Sequence, residues 1–144
     1  MTASRLSARL AEVVDALPLT PDARVVEIGC GPGAAARAVA DRVPLGHVLA
    51  IDRSARAVEQ AIAGSADVIA AGRLSVRCAA IEDLELLPDE QPYDLAFAVR
   101  VGALDGRHPG AGERAIARLR AVLVPGGRLY IDGGDPLREV SLDR

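Results

Sequence analysis

The sequence predicts an α/β three-layer sandwich built on a mainly parallel sheet, and three observations carry that expectation. The run Val25-Val26-Glu27-Ile28 leads into a turn with glycine at positions 29, 31 and 33, and an alanine-rich segment of helical spacing follows. Apolar strand-like runs then alternate with amphipathic helical segments as far as residue 132, the pattern of parallel strands joined by right-handed crossovers. The chain has 144 residues, suited to a single domain spanning 1–144 with a core of its own. Strand, glycine turn and helix together make the binding corner of a Rossmann-like unit. The expected strand order is 3-2-1-4-5, with a ligand at the switch point beside the first strand.

Composition narrows the function classes. Half of the residues are hydrophobic, yet Tyr93, Phe97 and Tyr130 are the only aromatics, so Val, Leu, Ile and Ala must build the core. Net charge is −3 and every basic residue is an arginine, scattered along the chain, which argues against a nucleic-acid face. The absence of lysine excludes a P-loop lysine and a lysine Schiff base. Charges interrupt the apolar N-terminal residues, and no uncharged stretch approaches the ~18 residues of a membrane span, so neither a leader nor a membrane partner is expected. Cys30 and Cys78 fall at predicted buried strand edges without metal-ligand spacing, so no metal site is expected and a reducing cytoplasm fits.

The elements follow in order. Residues 4–16 carry Leu6, Leu10 and Val13 at helical spacing, with Ser4 as the expected N-cap and Pro18 and Pro21 closing the segment. Residues 24–28 are the first strand, buried on both faces. Residues 33–43 are a helix facing the sheet through Ala36, Val39, Ala40 and Val43, and Pro44 and Gly46 break it. His47–Ile51 is the second strand, ending in Asp52, with His47 in a structural role and Ser54 able to cap the next helix. That helix spans 54–71, interrupted near Gly64, and residues 74–78 alternate as the third strand. Residues 91–99 are the fourth strand. Residues 100–108 are a loop and 111–123 a helix, with Ile116, Leu119 and Leu123 inward and Glu113, Arg114, Arg118 and Arg120 outward. Pro125-Gly126-Gly127 stops this helix, and residues 128–132 are the fifth strand.

The glycine turn admits two ligand chemistries. Gly29, Gly31 and Ala34 fit the G-x-G-x-x-G/A pattern of dinucleotide binders. The same residues read as E-x-G-x-G-x-G, which resembles motif I of the class I S-adenosylmethionine-dependent methyltransferases. Pro32 favours the second, because a pyrophosphate at a helix N-terminus needs free amide donors and proline removes one. Further resemblances lie at Asp52, at the loop Ile81-Glu82-Asp83-Leu84, at the Tyr93-Asp94 strand opening and at Pro125-Gly126-Gly127. Together they span roughly residues 20–132 in the family's order. The pattern departs at Ala80, where the family commonly has an acid for the adenine amino group.

The resemblance implies S-adenosylmethionine as cofactor and methyl transfer to a small-molecule acceptor. It places the cofactor on Glu27, Gly29, Cys30, Gly31 and Gly33 of the turn, on Asp52 and Arg53, on Ile81 and Glu82, and on Val99. Asp52 would accept from ribose hydroxyls, and Glu82 would substitute for the acid missing at Ala80. The loop after the fourth strand would face the acceptor with Arg100, Asp105 and His108. There His108 could serve as a base oriented by Asp105, and Arg100 could instead bind an acidic acceptor. Methyl transfer from a sulfonium needs a base only if the acceptor must lose a proton. A nicotinamide (NAD(P))-dependent oxidoreductase and a non-catalytic cofactor-binding or scaffold protein stay open as alternatives.

The family's usual sixth and seventh strands have no expected counterpart, since only residues 133–144 remain. Leu129-Tyr130-Ile131 would then lie at an exposed sheet edge, a hazard that soluble proteins cover or pair. Either the tail folds over it or two chains meet there as a homodimer, and the dimer is the favoured expectation.

Overall fold

The computed structural model describes residues 5–143. Its elements are α1 (Ala8–Ala16), β1 (Arg24–Ile28), α2 (Ala34–Arg42), β2 (His47–Asp52), α3 (Ala55–Gly64), α4 (Ala66–Ala70) and β3 (Leu74–Cys78), then a 3-10 turn (Ile81–Asp83), β4 (Tyr93–Ala98), α5 (Pro109–Val122), β5 (Leu123–Asp132) and β6 (Leu137–Val140). The strands form one sheet of order β3-β2-β1-β4-β5-β6, in which the first five are parallel.

Alternating residues of the central strands divide the core in two. Val25, Val48, Ala50, Leu95 and Phe97 face α1 and α2, and Ala61 of α3 joins the same layer. Val26, Ile28, Leu49, Ile51, Ala96 and Ala98 face the other side, against Ala115, Leu119 and Val122 of α5. Side chains of period two on strands that are covered on both faces explain why β1 carries apolar Val25, Val26 and Ile28 on both sides, with Glu27 buried among them. Val, Leu, Ile and Ala dominate both layers, with Tyr93 and Phe97 fully buried.

The sheet's amino-terminal end is closed by polar contacts that satisfy the Tyr93-Asp94 pair. Asp94 accepts from the Arg24 amide at 2.9 Å, and the Tyr93 hydroxyl donates to Glu90 at 2.6 Å. The Arg24 guanidinium lies over the Tyr93 ring, 4.6 Å from its centre. His47 is structural as expected: its ring nitrogens lie 2.8 Å from the Gly72 carbonyl and 2.8 Å from the Ser75 hydroxyl. Ser54 caps α3 by accepting from the Ala57 amide at 3.2 Å.

Four expectations are corrected. The first helix begins at Ala8, capped by Ser7, which accepts from the Leu10 amide at 3.2 Å; Ser4 lies outside the described residues. Cys30 is buried but Cys78 is exposed, since β3 is the outermost strand of its side. Pro125-Gly126-Gly127 does not precede the fifth strand but interrupts it: β5 starts at Leu123 opposite Tyr93, shifts register, and resumes pairing at Leu95–Arg128. Proline lacks a ladder donor and Gly126 sits at φ 83°, so the three residues form a bulge. Finally, a sixth strand exists. Residues Leu137–Val140 return antiparallel to β5, pairing Val140 with Leu129 and Leu137 with Asp132. The tail therefore covers the β5 edge, and the unpaired edge on that side belongs to β6.

Candidate active site

A cleft of about 610 Å³ opens at the carboxyl ends of the central strands, within the size range of small-ligand sites. Ile28 and Gly29 line it from β1, Asp52 and Arg53 from β2, and residues 79–82 from the segment after β3. Residues 99–103 after β4 complete it, together with Arg107, His108, Ala111 and Arg114 at the entry to α5. This is the switch point, where the chain leaves β1 and β4 in opposite directions across the sheet.

The glycine turn is closed upon itself. Gly29 and Cys30 both donate their amides to the Ile51 carbonyl, at 2.8 and 2.9 Å, and Gly33 donates to Cys30 at 3.0 Å. Gly31 donates to Asp52 Oδ2 at 2.9 Å, while Asp52 Oδ1 accepts from the Ser54 amide at 2.9 Å. Pro32 has no N–H. The turn therefore offers no row of free donors to a pyrophosphate. Gly31 has φ 52°, and a Cβ added there would meet nothing within 4 Å, so its backbone borders open space. Gly33 serves packing instead: a Cβ there would lie 3.2 Å from that of Ala61.

Glu27 lies behind this turn, 4% exposed, and its Oε1 has no hydrogen-bond partner. Burial is the main cause that pushes its carboxyl up to about 8. A hydrogen bond from the Ala36 amide pulls the other way, the nearby Asp52 charge adds to the rise, and Arg37 opposes it. The Arg37 guanidinium itself bonds the Pro32 carbonyl at 2.9 Å and the Ser65 hydroxyl at 3.0 Å. A buried carboxyl with one oxygen unpartnered fits a cationic ligand group, as does the acidic pair Asp52 and Glu82.

The opposite wall is cationic. Arg100, Arg107, His108 and Arg114 line it from the β4 loop and α5. Asp105 does not orient His108. Its carboxylate takes the Arg107 side chain at 2.8 and 2.9 Å and the Arg107 amide at 3.1 Å, which holds its pKa below the usual carboxylate range. The guanidinium is the better partner because its charged Nε–H is shared by both carboxylate oxygens. Arg100 and Arg114 have no carboxylate partner among the described residues.

Of the residues expected around the cofactor, Gly29, Asp52, Arg53, Ile81, Glu82 and Val99 line the cleft, and Arg100 and His108 line its opposite wall. Glu27, Cys30, Gly31 and Gly33 lie behind or beside it, and Asp105 is outside the lining. The Cys30 thiol is pushed up to about 12, chiefly by burial. Arg53 approaches Glu82 at 4.0 Å. Sequence reasoning missed Arg107 and Arg114, and it assigned Arg114 and Arg118 to a solvated face. In the structure Arg118 donates to the Leu84 carbonyl at 2.8 Å, tying α5 to the 3-10 turn. The signal for Arg114 was its place in the second turn of a helix that starts at the mouth of the switch point.

Comparison with known proteins agrees with this geometry. A family model described as a methyltransferase domain matches residues 25–127. The trans-aconitate 2-methyltransferase of Methylobacterium nodulans is 32% identical over 133 residues, covering 91% of this chain and 46% of that protein. The crystal structure of the [4+2]-cyclase SpnF superposes with TM-score 0.68 at 28% identity, covering 85% of this chain and 43% of the other. Coclaurine N-methyltransferase, bound to N-methylheliamine and SAH, superposes with TM-score 0.69 over 86% of this chain and 34% of its own, and at 20% identity it shows the shared fold. The chain belongs to the class I S-adenosylmethionine-dependent methyltransferase family. It spans about half the length of the curated relatives it matches.

Proposed function

We propose that this domain binds S-adenosylmethionine in the switch-point cleft and methylates a carboxylate oxygen of a small polycarboxylic acid. The observation that carries the reading is the division of charge in the cleft. Asp52 and Glu82 stand on the β2 and β3 side, with Arg53 4.0 Å from Glu82, while Arg100, Arg114, His108 and the Asp105-paired Arg107 stand on the β4 and α5 side. The names of the trans-aconitate 2-methyltransferases among the relatives support an acid of this kind.

Each protein group has a defined task in this reading. Asp52 is fixed by two amides and keeps lone pairs for ribose hydroxyls. Glu27 offers the amino end of the cofactor a buried carboxyl with one unpartnered oxygen, and a cationic group beside it would favour the ionised form that burial disfavours. The Ile81 backbone and Glu82 border the adenine end, where Ala80 brings no carboxylate. Gly29, Cys30, Gly31 and Gly33 shape the backbone that the cofactor approaches, and Arg53 and Val99 flank it. When bound, S-adenosylmethionine supplies a methyl group whose C–S bond breaks as the acceptor oxygen forms its new bond, the electron pair staying on sulfur. The arginines hold the acceptor carboxylates and set the attacking oxygen in line. A carboxylate carries no proton at neutral pH, so His108 and Asp105 need not act as a base pair. The products are a methyl ester and S-adenosylhomocysteine.

The engaged amides of the glycine turn argue against the nicotinamide alternative, and the cationic wall has no use in a scaffold. No helix among the described residues is long and apolar enough to cross a membrane. Association of two chains would now use the outer edge of β6, and light scattering at micromolar concentration reads it directly. The function itself is tested by thermal shifts with S-adenosylmethionine, S-adenosylhomocysteine and NAD, followed by mass spectrometry of trans-aconitate incubated with the loaded protein. A melting shift with the two sulfur compounds and a methyl ester product are expected. Stabilisation by NAD alone would sink the reading.

A further inference from the structure

Arg100 is the single non-glycine residue with a positive φ among the described residues, at 59°. This left-handed conformation is disfavoured for arginine and free of penalty for glycine. The chain nevertheless places arginine here, at a residue that lines the β4 and α5 wall of the cleft. A strained backbone persists only where its surroundings hold it.

Asp132 and Arg107 hold it. The Arg100 amide donates to Asp132 Oδ1 at 2.9 Å, and the Arg100 carbonyl accepts from Arg107 Nη2 at 3.5 Å. The second oxygen of Asp132 accepts from Arg9 Nη2 at 3.1 Å. Asp132 ends β5 with its side chain 13% exposed, so one carboxylate joins α1, the end of β5 and the loop after β4. A hydrogen bond from a backbone amide to a carboxylate is of the strong, charge-assisted kind. If it is removed, φ can relax to the negative region through a rotation of roughly 120°, which redirects the Cα–Cβ bond and the guanidinium it carries.

We propose that Asp132 is a positioning residue, whose carboxylate holds Arg100 in the left-handed conformation that presents its guanidinium to the acceptor. Arg9 orients that carboxylate from α1. The identity of what Arg100 grips rests on the acid-acceptor reading above; the hold on Arg100 does not.

Calorimetry with trans-aconitate as probe, on protein saturated with S-adenosylhomocysteine, tests the consequence, and NMR coupling constants of Arg100 read its φ. Asp132→Ala should weaken trans-aconitate binding about tenfold and leave S-adenosylhomocysteine affinity unchanged. Asp132→Asn should stay within about twofold, since its amide oxygen still accepts the Arg100 N–H. Added to Arg100→Gly, Asp132→Ala should cost nothing further in acid affinity, the signature of two residues acting as one unit. If Asp132→Ala does not fold, Asp132→Ser, too short to reach the amide, is read the same way. Unchanged acid affinity with Arg100 still at positive φ overturns the proposal, and so does an equal loss of affinity for both ligands. If the wild type binds S-adenosylhomocysteine but not trans-aconitate, the acid reading fails, and the φ of Arg100 in Asp132→Ala alone decides the positioning role.

Discussion

Asp52 accepts the Gly31 amide at 2.9 Å, so the acid that ends β2 also fixes the glycine turn that follows β1. One carboxylate thus shapes the turn and faces the cleft. Asp52→Ala should lower S-adenosylmethionine affinity by one to two decades, from the loss of charge-assisted bonds worth about 1.5–3 kcal/mol. Asp52→Asn can keep the Gly31 bond through its amide oxygen while losing the charge, and should fall between the two. Calorimetry checks both, and an Asp52→Ala protein with wild-type affinity would remove Asp52 from the site.

Gly31→Ala separates the turn's shape from its packing. The added Cβ meets nothing within 4 Å, and φ 52° costs a non-glycine residue about 1 kcal/mol. The protein should therefore fold with a slightly lower melting temperature and bind S-adenosylmethionine at least tenfold more weakly. Affinity equal to wild type would show that no ligand approaches this backbone.

Much of this was legible in the sequence, for identifiable reasons. The β-branched run before Gly29, the helical spacing of Ala36, Val39 and Ala40, and the acid at Asp52 are local signals tied to one register. The five parallel strands followed from them. β6 was not legible because only residues 133–144 remain and Asp135-Pro136 discourages a further strand, whereas pairing with β5 depends on Leu129 and Ile131 across the turn. The cationic wall was half legible. Arg100 stood in the expected loop, but Arg114 and Arg118 carry the same charge and lie four positions apart on one helix. Only the packing of α5 on the 3-10 turn decides that one lines the cleft and the other bonds Leu84. The Asp105–Arg107 pair competes with Asp105–His108 at almost equal sequence distance, and the backbone and Nε–H bonds that Arg107 gives Asp105 settle it.

Glu27 makes stability depend on pH. Its carboxyl is raised from 4.5 to about 8 in the folded protein, so above pH 4.5 the unfolded chain releases a proton that the folded protein retains. The stabilising contribution is complete below 4.5 and is lost as pH rises toward 8, on the order of 1.4 kcal/mol per unit. Glu27→Gln, which cannot ionise, should remove this slope. Denaturant unfolding at pH 5 and pH 8 should show the variant gaining about 3 kcal/mol on the wild type between the two. Parallel pH profiles for both proteins would contradict a protonated Glu27.

His108→Ala should slow turnover of an acid acceptor by less than about tenfold, below the usual general-base contribution. The reason is structural as well as chemical, since Asp105 is committed to Arg107 and leaves the imidazole without a carboxylate to orient it. Single-turnover rates with trans-aconitate would measure it. A loss of several hundredfold would promote His108 to base and point to an acceptor that must lose a proton.

Arg114 offers the cleanest separation of acceptor binding from cofactor binding. It lies on α5, lines the cleft and has no carboxylate partner among the described residues, so its removal orphans no buried acid. Its charge is useful only to an anion that enters from outside. Arg114→Ala should therefore raise KM for a polycarboxylate about tenfold while S-adenosylhomocysteine affinity and melting temperature stay at wild-type values. Arg114→Lys should recover part of the loss, because an ammonium keeps the charge but not the two-pronged geometry. The difference between wild type and Arg114→Ala should shrink as salt rises, since part of the attraction is screened. KM measured at low and high ionic strength decides the matter: a KM for Arg114→Ala that matches wild type at low salt would take α5 out of acceptor recognition.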